Sequence, residues 1–225
     1  MKLLALIPAR GSSKSIKLKN LVKIKNISLL ERNFKAIKNS NITKDIFCST
    51  ESRIISDACF KIGLKVIKRP ISLSKDNTNI FYVAKHAIEF LKKKNLYFDY
   101  IILLQPTYPF ISKKDIVGSI QKLKNPNITS CQTIHPTPHT YHYLNTRIIK
   151  NGYIRFKFSN ERIKKFNKQK KEKTYNFGNL VITKIKNLLI EKTFFTKKST
   201  YFVTDRYRSF DLDDKYELDF SKNFK

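Results

Sequence analysis

Tryptophan is absent from these 225 residues, methionine occurs once, cysteine three times and glycine five times. The cysteines, Cys48, Cys59 and Cys131, are too few and too far apart for a disulfide framework or a zinc set. They are expected as buried free thiols in a reducing compartment. Neither G-x-x-x-x-G-K-[ST] nor G-x-G-x-x-G occurs, which excludes the two standard glycine-rich phosphate fingerprints. No apolar run approaches the roughly 18–20 residues that cross a bilayer. The opening MKLLALIPAR lacks a small-residue cleavage site and stops at Pro8. It reads as a first core strand, and the chain is expected to be cytoplasmic with no membrane partner.

Acidic residues are scarce too, 17 against 46 basic ones, for a formal charge of +29. Such a balance attracts anions in general. The basic residues are mostly lysines, 37 against 9 arginines, spread over almost every segment. Readers of nucleic acid lean on arginine for bidentate contacts, so specific nucleic-acid binding is not expected. Small anionic substrates fit the charge better.

What is present is a regular alternation. Apolar runs at residues 3–9, 45–50, 65–70, 100–106 and 128–134 read as strands. Between them stand amphipathic helical patterns. SLLERNFKAI opens with Ser28 and Glu31 in capping-box spacing, and NIFYVAKHAIEFLKKKN places Ile80, Val83, Ala84, Ala87, Ile88 and Leu91 on one face. This predicts an α/β, Rossmann-like three-layer fold with a mostly parallel sheet. The pattern breaks after His135. Residues 138–176 read as a β-rich arm inserted into a single domain spanning 1–225, with a hairpin turn at Asn151-Gly152. NLVIT and TYFVTD then read as the last strands, with the short helix KIKNLLIEK between them.

Ligands of open α/β sheets bind beyond the carboxyl ends of the strands. Four polar stretches fall at such ends: PARGSSKSIKLKN, STES, LLQPTYPF and SFDLDD. The first offers backbone N–H groups, the hydroxyls of Ser12 and Ser13, and the cations Arg10, Lys14, Lys17 and Lys19, a set suited to a polyphosphate. Its plain alternative is an ordinary basic loop. In the last, a strand through Asp211 and Asp213 would project both carboxylates from one face and turn Leu212 to the core. Such a pair suits a hard cation such as Mg²⁺. Its plain alternative is a solvated acidic turn paired with lysines. His86 reads as structural, while His139 and His142 are candidates for touching a substrate.

These stretches, in this order, resemble the acylneuraminate cytidylyltransferases, the CMP-sialic acid synthetases. IPARGSSKSIKLKN is similar to their I-P-A-R-G-G-S-K-G-I-P-x-K-N. CSTES, KRPISLSKD, LLQPTYPF and SFDLDD follow their S-T-D/E-S, R-P-x-x-L-x-x-D, L-Q-P-T-S-P-L and S-I-D-I-D-T. The synthetases for CMP-Kdo, CMP-legionaminate and CMP-pseudaminate are weaker relatives. The resemblance implies transfer of CMP from CTP to a 2-keto sugar acid, with Mg²⁺. Arg10, Gly11, Ser12, Ser13 and Lys19 would hold the phosphates, Asn20 would help hold the nucleotide, and Arg69 would lie by the cytidine. Gln105, Thr107 and Asn179 would contact the sugar acid, and Asp211 and Asp213 the metal. Arg10, Lys19 and Asp211 would carry the catalysis. The arm would exchange contacts with a second copy, giving a homodimer. Alternatives are a CMP-Kdo or other sugar nucleotidyltransferase, or a non-catalytic nucleotide- or nucleic-acid-binding member. The chain departs from the pattern where glycines become Ser12 and Ser15, an exchange expected to cost loop geometry. The arginine after P-L becomes Ile111, which removes a carboxylate partner. The proline of the signature is Lys17, and R-x-N-G becomes a run through Asn176, Gly178 and Asn179.

Overall fold

A computed structural model of the protein describes residues 1–223. Its seven-stranded sheet runs β11-β7-β10-β6-β1-β4-β5. The strands are β1 (Leu3–Pro8), β4 (Ile46–Thr50), β5 (Lys65–Lys68), β6 (Tyr100–Leu104), β7 (Ser130–Pro136), β10 (Tyr175–Lys184) and β11 (Ser199–Val203). A two-residue pair, β2 (Lys23–Ile24) with β3 (Ile27–Ser28), precedes the first helix. The helices are α1 (Leu29–Ser40), α2 (Arg53–Lys61), α3 (Ile80–Lys92), α4 (Lys113–Lys122), α5 (Ser159–Lys164), α6 (Ile185–Glu191) and α7 (Lys215–Ser221).

Three layers result because both faces of the sheet are apolar. Ala5, Ile7, Ile102 and Leu104 face α1, α2 and α4, while Leu4, Leu6, Ile101 and Leu103 face α3 and α6. Strands covered on both sides read as continuous apolar runs, and each such Leu or Ile contributes about 1.5–3 kcal/mol on burial. The sheet is mostly parallel, as the alternation predicts. The exception is β10, which runs antiparallel to both β6 and β7.

Local signals set the helix starts. Ser28 accepts from the Glu31 N–H at 3.2 Å, but the Glu31 carboxylate turns to Lys35 at 2.8 Å, so only half of the expected capping box forms. Ser112 and Asp115 form a complete one. Strand β10 begins at Tyr175, earlier than the NLVIT run suggests, because Gly178 lets it cross Thr133 closely. A Cβ there would sit 2.5 Å from the Thr133 hydroxyl oxygen, and the ladder is irregular at this point.

Between β7 and β10 lies the expected arm. Its hairpin, β8 (Arg147–Lys150) and β9 (Tyr153–Phe156), turns at Asn151-Gly152, both at positive φ. The rest of the arm is helical turns around α5, so it is less β-rich than predicted. All three cysteines are free and buried. Among the described residues no helix is long and apolar enough to cross a membrane.

Candidate active site

The carboxyl ends of β1, β5 and β6 open onto one cleft of about 440 Å³. The loop after β1 forms one wall. It closes on itself where Asn20 donates from its amide to the Arg10 carbonyl at 2.9 Å. Leu18 takes a left-handed conformation (φ 50°, ψ 41°) and starts a short 3-10 turn over Lys19–Leu21. Arg10, Ser13, Lys19 and Asn20 all line the cleft. Arg10 and Lys14 share one carboxylate, Asp76, at 2.6 and 2.7 Å.

The loop is anchored from behind by Glu51, at the end of β4. Its carboxylate accepts from the Gly11 N–H at 2.7 Å, the Arg69 guanidinium at 2.8 Å and the Ser74 hydroxyl at 2.9 Å. Burial alone would raise this carboxyl. The Arg69 guanidinium and the Gly11 and Ser74 donors outweigh it and hold the carboxyl below its ordinary value. Gly11 has to be glycine, since a Cβ would meet the Ser52 Cβ at 2.7 Å. Arg69 is 5% exposed and lines the cleft. Glu51→Ala strands that guanidinium as an unpaired buried charge. The expected loss is about 3–5 kcal/mol, read as a melting temperature lower by about 10 °C. The contribution of Glu51 is present above the unfolded carboxylate pKa and fades as pH falls through its depressed folded value. The gap between wild type and Glu51→Ala should therefore narrow in acid titrations of stability.

The opposite wall is the segment after β11. Leu212 is fully buried against Ile24 and Leu29, and its N–H donates to the Thr107 carbonyl at 2.8 Å. This segment pairs in no strand, contrary to the strand read from Asp-Leu-Asp. The consequence for the side chains is nonetheless as expected: Leu212 turns inward, and Asp211 and Asp213 both line the cleft. Lys19 reaches Asp213 Oδ1 at 3.0 Å, and the Ser15 hydroxyl donates to the Asp213 carbonyl at 2.6 Å. Asp211 is raised from its ordinary value mainly by burial, with the Asp213 charge adding and the Thr107 and Tyr108 hydroxyls opposing. Its Oδ1 is buried without a hydrogen-bond partner. An orphaned carboxylate oxygen beside a second carboxylate is the donor set that a hard cation completes.

A basic loop thus faces two carboxylates across a cleft at the sheet's carboxyl edge. The cytidylyltransferase family signature matches residues 4–199. The chain belongs to the cytidylyltransferase family. It is 26% identical to an N-acylneuraminate cytidylyltransferase of Escherichia coli O18:K1:H7, over 97% of this chain and 51% of that protein. It is equally similar to a pseudaminic acid cytidylyltransferase of Campylobacter jejuni, over 99% of this chain and 95% of the relative. This chain therefore spans about half of the Escherichia coli relative and nearly all of the Campylobacter one. The fold matches the structure of CMP:2-keto-3-deoxy-manno-octonic acid synthetase complexed with CTP, at TM-score 0.73 and 14% identity, over 99% of this chain and 97% of the other.

Within this cytidylyltransferase the residues singled out in sequence do not all meet. Arg10, Ser13, Lys19, Asn20, Arg69, Gln105, Thr107, Asp211 and Asp213 share the cleft. Gly11 lies behind it, with its N–H committed to Glu51, and Ser12 is exposed on the loop. Asn179 is 0% exposed, and its amide is engaged by Thr133, Asp115 and the Arg208 carbonyl. It knits β7, α4 and the segment after β11 together and does not line the cleft. His142 is buried with both ring nitrogens bonded inside the arm, and His139 stands beside Lys171. Neither faces the cleft. Ser12 and Ser15 both have negative φ, so serine costs no backbone strain there; the left-handed residue is Leu18. Ile111 is 7% exposed in the main core. Reasoning from sequence left out Glu51, although STES placed it at a strand end. A carboxylate followed at some distance by a lone arginine in an otherwise lysine-rich chain was the available signal.

Proposed function

We propose that the protein activates a sialic-acid-like 2-keto sugar acid with CTP, giving the CMP-sugar and pyrophosphate. The observation that carries this is the meeting of Arg10, Lys19, Arg69, Asp211 and Asp213 around one cleft in a chain similar along its length to enzymes named for such acids. The anomeric oxygen of the acid forms a bond to the α-phosphorus of CTP as the bond to the β-phosphate oxygen breaks. The hydroxyl proton passes to a base at Asp211. Arg10 and Lys19 neutralise the charge on the departing pyrophosphate, and Arg69, fixed by Glu51, lies toward the nucleoside. Such transfers rest on positioning and charge neutralisation. Asp211 and Asp213 would hold Mg²⁺, which when bound supplies positive charge for the phosphates. Gln105 and Thr107 lie where the two substrates meet. The buried free thiols suit a reducing cytoplasm.

The test is pyrophosphate release with CTP and Mg²⁺ across N-acetylneuraminate, legionaminate, pseudaminate and Kdo. Release with one of the first three and CTP, but not other nucleotides, is expected. Release with Kdo alone would replace the acid, and silence across all four would defeat the reading.

We also propose a homodimer built through the arm. Ile149 and Ile154 face each other across the hairpin and are 80% and 69% exposed. An exposed apolar pair on a two-stranded ribbon is a surface that a second copy would cover. Light scattering should give twice the monomer mass for the wild type and the monomer mass for Ile149→Asp/Ile154→Asp. A monomeric wild type refutes it.

A further inference from the structure

A second cleft, of about 790 Å³, adjoins the first and shares Asp211 with it. Its walls include His135 at the end of β7, Asn176 at the start of β10, Tyr141 from the arm, Arg206 after β11 and Tyr216 on α7. We propose that Arg206 anchors the carboxylate of the acceptor acid here and so sets the specificity for acids. The proposal rests on the cytidylyltransferase reading above.

Position is the first argument. Because Asp211 belongs to both clefts, a molecule in the second faces the phosphates of a nucleotide in the first. Charge is the second. The chain has 46 lysines and arginines, yet among the described residues lining this cleft Arg206 is the one of either kind. The other arginines at this end of the sheet are committed. Arg10 pairs with Asp76, Arg69 with Glu51, and Arg208 with Asp205 at 2.7 Å. Arg206 makes no ion pair among the described residues, and its guanidinium lies 5.8 Å from the Tyr141 ring. A guanidinium held over a ring keeps its N–H edge for a planar, bidentate carboxylate.

Two further observations orient the ligand. Asp214 and Glu217 cap the first turn of α7 and carry negative charge at that wall, so a carboxylate is disfavoured beside them. And Ile111, which stands where the resembling family has an arginine, is buried in the core, so that position supplies no cation and Arg206 supplies one from another segment. In a 2-keto sugar acid the carboxylate is bonded to the anomeric carbon. Fixing the carboxylate therefore fixes the anomeric hydroxyl, which is borne by the same carbon, toward Asp211.

Arg206 is exposed, so its replacement should leave the fold intact. The experiment compares wild type, Arg206→Ala and Arg206→Lys by pyrophosphate release, using the acid the wild type accepts and its C1 carboxamide. Arg206→Ala should raise KM for the acid by about 10- to 100-fold, the size expected for a charge-assisted pair, while KM for CTP moves less than about twofold. It should also abolish the preference for acid over amide, which Arg206→Lys should partly keep. An unchanged KM for the acid, or an unchanged acid-to-amide ratio in Arg206→Ala, overturns the anchor while leaving the reaction standing. A wild type that releases no pyrophosphate with any acid overturns the reaction and the anchor together.

Discussion

Arg10→Ala should lower kcat/KM for CTP by about 10³-fold, the range measured when one preorganised charge-stabilising donor is removed from a transfer site. The same variant should melt within about 2 °C of the wild type, because the present partner of Arg10 contributes little. That partner is Asp76, at 2.6 Å, and the two side chains are 37% and 45% exposed. An exposed ion pair of this kind adds little to stability, so its loss should move the melting temperature of a chain of this size by no more than about 2 °C. A triphosphate carries more charge than one carboxylate and, bound as proposed, would displace Asp76 from both Arg10 and Lys14. The loop is otherwise kept in shape by bonds that do not involve the Arg10 side chain, namely the Asn20 amide on the Arg10 carbonyl and the Gly11 N–H on Glu51. The comparison is steady-state pyrophosphate release beside thermal melts. A variant with normal turnover would remove Arg10 from the phosphate site, and one that is both inactive and partly unfolded would make its role structural.

The parts of the molecule that were legible in sequence are those where one physical signal acts alone. Leu3 to Pro8 and Tyr100 to Leu104 are apolar on both faces, which has one reading in a chain that alternates strands with helices. Strand ends follow from these runs, and the site residues at those ends came with them. The misses have a common cause, in that two signals compete at one place. Asp211 to Asp213 alternates like a strand, but Leu212 is drawn into a small core with Ile24 and Leu29, and the segment pairs with no strand among the described residues. Helix α7 is capped by Asp214 with a capping box to Glu217, yet the sequence there also reads as a solvated acidic turn. Asn179 sits in a ligand-like stretch, while its amide completes a buried network around Asp115 that only the packing of β7, β10 and α4 creates. Serines at 12 and 15 look costly beside a glycine pattern. The turn they belong to places its left-handed residue at Leu18 instead, and Ser15 gains a bond to the Asp213 carbonyl. Arg206 shows the limit of motif reading most clearly, for its neighbours in the cleft come from β7, β10, the arm and α7.

Asp211→Asn should abolish turnover and at the same time make the protein more stable. On the proposed reading activity should fall by about 10³-fold, since the variant would lose the proposed proton acceptor and one of two carboxylates proposed for a cation whose charge stabilisation is worth several kcal/mol. Stability moves the other way. Burial raises the Asp211 carboxyl, the Asp213 charge raises it further, and Oδ1 has no hydrogen-bond partner. A carboxyl whose folded pKa lies above its unfolded value of about 3.9 stabilises the fold fully only below that value. That contribution is lost as pH rises through the folded pKa, so at neutral pH the ionised Asp211 is a net cost. Asparagine keeps the shape and removes the charge. The melting temperature in EDTA at pH 7 should rise above that of the wild type. The gain should shrink as the pH is lowered toward 4. Mg²⁺ with CTP should then stabilise the wild type more than the variant, because the variant keeps only Asp213 of the two carboxylates in the cleft. A variant that is inactive but less stable at pH 7 would mean that Asp211 is held by the fold for structure, and the metal and proton roles would both have to move to Asp213. An active variant would remove Asp211 from the chemistry altogether.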